Sequence, residues 1–174
     1  MSAKSTSTQY GSVAILIHWT SALAVILTWL VGFSVANLAA QPALLLAHIA
    51  LGGLVLVLTL LRIVWWAVAD KHPSAPEGEP GWQTRIAQAV HLGLYVLLLL
   101  MASSGIVTLI LSGAVPVILS GGAIPDLSEL IPRIAHGVMA KIILALFVVH
   151  LGAALYHQFV RRDHLLARMG VGRA

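Results

Sequence analysis

Eight histidines stand in a chain that has no cysteine. Neutral imidazole is the commonest nitrogen ligand of transition metals, and it is also the side chain that exchanges protons near neutral pH. The lack of any thiol excludes disulfides, iron–sulfur clusters, thiolate-ligated haem and the covalent attachment of c-type haem. Three of the histidines and one arginine are regularly spaced: His150 follows His136 by fourteen residues, and Arg62 follows His48 by the same interval. At about 100° per residue, fourteen helical steps return to within about 40° of the starting direction after a rise of about 21 Å. A helix through 136–150 therefore presents two imidazoles on one face at two depths. A helix through 48–62 presents an imidazole and a guanidinium in the same way. Histidines paired from facing helices ligate a porphyrin iron with no further protein atom. Taken singly, a histidine inside a membrane serves equally as an interhelical hydrogen-bonded contact, a soft-metal ligand or a proton relay.

The elements that must position these residues follow from composition. Of the 174 residues, 59% are hydrophobic and 9% charged, with a mean hydropathy of +0.96. A soluble domain carries about 25% charged residues, so soluble-enzyme and nucleic-acid-binding classes are excluded. Crossing about 30 Å of hydrocarbon takes about 20 apolar residues in a helix. Four stretches qualify: 13–36, 43–69, 86–112 and 133–160. The expected fold is all-α, a single transmembrane four-helix bundle over residues 1–174 in contact with membrane lipid. The first stretch is too long for the apolar part of a cleaved signal and is interrupted by His18, Trp19 and Trp29. A turn at 37–42, a polar loop at 70–85 and a Gly/Pro-rich loop at 113–132 connect the spans. Lys4, Lys71, Arg85, Arg161, Arg162, Arg168 and Arg173 fall on one side and Arg133 on the other. That asymmetry predicts cytoplasmic termini and a cytoplasmic 70–85 loop, and accounts for the net charge of +4. Arg62 and Lys141 lie inside spans, where a charge costs about 2.5 to 3.5 kcal/mol on insertion scales and calls for a partner.

Depth sorts the histidines into two layers. His48 and His136 enter their helices from the outer surface and share an outer layer. His18 enters the first helix from the cytoplasm and shares an inner layer with His150 and Arg62. Two bis-histidine haems need four ligands on facing helices, and buried cations neutralise their propionates. Arg62 is suited to the inner haem and Lys141 to the outer one. By depth alone, His91 and His157 compete with His150 for the inner iron, or serve as a propionate contact or quinone-site residue. His72 and His164 fall in polar segments and read as solvated. Trp19, Trp65, Trp66 and Trp82 lie near span boundaries, as interfacial indoles do, while Trp29 is deeper. Gly52, Gly53 and Gly137 would admit either a flat macrocycle or a neighbouring helix, and Ser103, Ser104 and Gly105 read as a small-residue helix contact.

The ordered set resembles the bacterial cytochrome b561 family over nearly the whole length. It consists of Tyr10 eight residues before His18-Trp19, His48 opening the second helix, Arg62 near its inner end and His91 with Tyr95 in the third. His136, His150, His157, Asp163, Arg168 and Met169 complete it. The resemblance implies two b-type haems, with His18 and His150 on the inner iron and His48 and His136 on the outer one. It thereby favours His150 over His157. It further implies electron transfer between ubiquinone or another quinone and a small redox partner at the outer, periplasmic face, superoxide oxidation being one such activity. The alternatives are a haem-bearing anchor subunit of a larger dehydrogenase or hydrogenase and, from another class, a haem-free transporter or proton pathway.

Overall fold

A computed structural model describes residues 2–37, 41–76 and 78–172. Residues 38–40 of the expected 37–42 turn, and Arg173 of the basic tail, lie outside the described residues. Four long apolar helices, each long enough to cross a membrane, form the fold, and no strand occurs among the described residues. They are α1 (Ser12–Asn37), α2 (Pro42–Val64), α3 (Gly81–Ser112) and α5 (Ile131–Tyr156), with a short α4 (Ala114–Leu119). Proline stands in the first turn of α2 and of α5, where its missing N–H costs nothing and its fixed φ favours entry. α3 begins five residues before the expected boundary at 86, because the polar segment after Pro80 is helical but invisible to hydropathy. The last turns of α2 and α5 widen into π turns at Trp65–Ala69 and His157–Arg161.

The expected 113–132 loop contains structure of its own. Gly113 adopts a left-handed conformation at φ 60°, ending α3, and α4 starts at the next residue. Ala114 and Ile118 are then buried with Leu45, against Val35, Ile49, Leu109 and Ile124. This cluster of buried apolar side chains closes the bundle end remote from the termini, here termed outer.

Among the long helices the closest packing is within pairs, α1 on α2 and α3 on α5; α2 and α3 meet less extensively. The bundle is thus two hairpins laid side by side. Large side chains such as Leu16, Phe33, Ile110 and Ile131 point outward, as hydrocarbon-facing residues do.

At the opposite, inner end, three segments are knitted together. Arg168 donates from Nε to the Thr8 carbonyl at 2.8 Å and from Nη2 to the Ser74 carbonyl at 2.6 Å. Trp19 Nε1 donates to the Met169 carbonyl at 3.0 Å. Asp70 accepts from the Ser5 backbone N–H and hydroxyl and from Trp65 Nε1. Both termini and the 70–76 segment therefore share one end of the bundle.

Candidate functional site

The outer histidines bridge the hairpins. His48 on α2 faces His136 on α5 with ring centroids 5.9 Å apart and planes at 74°. His48 Nδ1 lies 3.1 Å from the Thr28 carbonyl of α1. A carbonyl only accepts, so Nδ1 carries the proton and Nε2 keeps a free lone pair. His136 repeats the arrangement: its Nδ1 donates to the Met101 carbonyl at 3.0 Å and lies 3.0 Å from the Ser104 hydroxyl. The backbone is shaped to seat both rings. A Cβ on Gly32 would stand 2.7 Å from His48 Cε1, and one on Gly105 would stand 3.4 Å from His136 Cε1. Sequence reasoning missed Gly32 and the two carbonyls, and it took Ser104 and Gly105 for a packing motif rather than a histidine seat.

The inner layer gathers three imidazoles. His18 on α1 and His150 on α5 have centroids 6.2 Å apart, and His91 on α3 approaches His150 at 5.1 Å. Arg62 joins them, its Nη1 lying 2.9 Å from His18 Nδ1. Guanidinium only donates, so His18 Nδ1 is here the acceptor and its proton sits on Nε2. The outer rings are set for ligation through Nε2, and His18 is set the other way. Arg62 also lies over the Tyr95 ring, 5.7 Å from its centroid.

His157 stands apart from the three inner imidazoles, in the π turn that ends α5. Its Nδ1 is 2.6 Å from Asp163 Oδ2. Arg161 reaches the same oxygen at 3.5 Å and donates to Gln83 Oε1 at 2.8 Å. Arg162 and His164 on either side of Asp163 have φ of 55° and 56°, left-handed values that cost about 1 to 2 kcal/mol each in non-glycine residues. That strained turn brings Asp163 back onto His157. His72 is stacked on Trp66 at 3.9 Å, and His164 is exposed.

The cations differ from expectation at the outer layer. Lys141 is exposed and, five residues from His136, lies about 140° round the helix. Arg133 is the cation beside the pair: its Nη1 would be 3.2 Å from a Cβ on Gly137, and its charge acts on both His48 and His136.

Residues 9–172 match the prokaryotic cytochrome b561 family. The chain belongs to that family. Among its curated relatives are cytochrome b561 homolog 1 and homolog 2 of Escherichia coli strain K12, each 28% identical. The first alignment covers 92% of this chain and 96% of the relative, the second 97% and 95%. A probable superoxide oxidase CybB of Yersinia pestis is 29% identical over 92% of this chain and 95% of its own length. No solved structure matches significantly.

Membership in the cytochrome b561 family implies a b-type haem in an integral membrane protein of electron transport, and suggests a quinone partner. The residues present fit a haem. Two imidazoles opposed across one metal, each bonded at about 2 Å, have centroids about 6 Å apart, against 5.9 and 6.2 Å here. A Cβ on Gly52, one turn beyond His48 on its face, would meet nothing within 4 Å. Helix-to-helix contact is therefore not its role, and open space adjoins the His48 face of α2.

Proposed function

We propose that this cytochrome b561 holds two b-type haems between its hairpins, with His48 and His136 as ligands of the outer one and His18 and His150 of the inner one. The observation that carries the reading is the pairing itself: each couple joins α5 to a different helix of the α1/α2 hairpin at near-ideal ligand spacing. When bound, the haems supply one-electron transfer across a span too thick for one site to serve both surfaces, their layers lying about 21 Å apart.

Electrons pass between a quinone and a donor at the outer face, with the termini cytoplasmic as the basic residues favour. Arg133 beside the outer couple favours an anionic donor. Superoxide meets that requirement, in keeping with the name of the Yersinia pestis relative. Two superoxide anions lose one electron each and leave as dioxygen, and one quinone gains two electrons and two protons. His157 carries protons at the inner end: Asp163 fixes its Nδ1–H and leaves Nε2 free to exchange.

The test is a haem-to-polypeptide ratio with a reduced-minus-oxidised spectrum, repeated on His48→Ala and His18→Ala. Two haems in the parent and loss of a different one in each variant are expected. A colourless, folded parent would refute the proposal. Superoxide-driven haem reduction unaffected by Arg133→Ala would remove the support for an anionic donor.

A further inference from the structure

Two buried N–H donors at the inner layer have no hydrogen-bond partner among the described residues, Arg62 Nε and Trp66 Nε1. They stand one turn apart on α2 and its terminal π turn, and so project to the same side. Tyr95 lies between them, its ring under the Arg62 guanidinium and its hydroxyl near Trp66 without closing a bond to the indole. Buried donors in native proteins are almost always satisfied, so an acceptor belongs here.

That acceptor must also bring negative charge. Asp70 is engaged by Ser5 and Trp65, and Asp163 by His157 and Arg161. No ion pair to Arg62 occurs among the described residues. Its contact with His18 cannot substitute, because ligation of iron through His18 Nε2 would put a proton on Nδ1 and turn that atom toward Arg62 as a second donor. A quinone carbonyl would satisfy the N–H groups and leave the guanidinium charge uncompensated. A carboxylate answers both needs.

We propose that Arg62 and Trp66 form a clamp for one carboxylate of the inner porphyrin, an inference that rests on the di-haem reading. The indole is held in orientation by His72 stacked on its face at 3.9 Å and by Tyr10 edge-on at 6.1 Å. Two segments of the inner end, the tail before α1 and the loop after α2, thus position a group that faces the haem layer. A cation held at the haem edge favours the reduced iron, which carries one positive charge less. Removing the clamp therefore lowers the inner haem's potential.

The experiment is an optical redox titration of the full chain in nanodiscs, with Arg62→Gln, Arg62→Lys and Trp66→Phe, the two haems being assigned through His48→Ala. Arg62→Gln should shift the inner haem's reduced-to-oxidised equilibrium at least tenfold toward the oxidised form, 59 mV for a one-electron couple. Trp66→Phe should shift it the same way by less, Arg62→Lys should recover most of it, and the outer haem should not move. An inner potential unmoved in Arg62→Gln and Trp66→Phe at full haem content overturns the clamp and leaves the di-haem reading intact. So does a shift seen only when quinone is added, which would assign the donors to the quinone. A parent without haem overturns both. Should Arg62→Gln fail to fold, Trp66→Phe and Arg62→Lys carry the comparison.

Discussion

Gly32 on α1 is the hollow that receives the His48 ring, since any Cβ there would stand 2.7 Å from His48 Cε1. The ring has no room to retreat without losing the Thr28 carbonyl at 3.1 Å. Gly32→Ala is therefore expected to reduce outer haem occupancy severalfold while the inner haem stays, read as a pyridine haemochrome ratio falling from two toward one. Retention of both haems would mean that α1 yields at this point.

His91 approaches His150 more closely than His18 does, 5.1 against 6.2 Å. Pairing by family position and pairing by proximity thus make opposite forecasts. We expect His91→Ala to keep two haems and His18→Ala to lose the inner one. The reverse result in the haem spectrum would transfer the ligand role to α3.

Asp163→Asn removes the acceptor that fixes His157 while leaving the haem layers alone. Positioned acid–base groups contribute about 100- to 10,000-fold. Loss of the orienting partner should slow quinone reduction by about tenfold or more, with unchanged haem content and unchanged rate of haem reduction at the outer face. Stopped-flow spectra followed with and without quinone separate the two steps.

Burial tends to raise the Asp70 carboxyl, but hydrogen bonds from the Ser5 hydroxyl, the Lys71 and Ser5 backbone N–H groups and Trp65 outweigh it and hold the group below its usual value. A depressed folded value means that the contribution is fully present above the unfolded pKa, about 3.9, and is lost as pH falls through the folded one. A nitroxide on Thr8→Cys, unique in a chain with no other cysteine, should stay restrained from neutral pH down to the ordinary carboxylate value, about 3.9, and become mobile only as the pH falls below it. In Asp70→Asn it should be mobile throughout. A sharp change near neutral pH would point to another group.

Haem removal should loosen the two hairpins from each other before it unfolds either, because the ligand couples join helices that otherwise pack little. Saturation at a thousandfold excess over the dissociation constant is worth about 4 kcal/mol to a folded state. Haem-depleted protein should therefore melt at a lower temperature and gain hydrogen exchange first at the α2/α3 and α1/α5 seams. Uniform exchange across all four helices would contradict the two-hairpin description.

The four spans were legible because twenty apolar residues in a row have few other uses. The polar first turn of α3 and the six-residue α4, with Pro116 and flanking glycines, carry no such signal. The fourteen-residue interval placed His136 and His150 on one face and grouped Arg62 with the inner layer. Helical arithmetic also turns Lys141 away from His136, although charge and depth alone suited it to the outer haem. What could not be read were groups defined by a neighbouring segment: the hollow at Gly32, the Thr28 and Met101 carbonyls, and the aromatic cluster of Tyr10, Trp66 and His72. Each depends on the register between elements, which periodicity within one element does not specify.

The seam between the hairpins has a consequence for maturation. A flat, greasy pigment dissolved in the bilayer need not thread through a finished interior, since it can slip in sideways from the acyl chains, as a page enters between covers. Polypeptide insertion and pigment loading then become separable events, and the half-built protein can wait in the membrane for its colour.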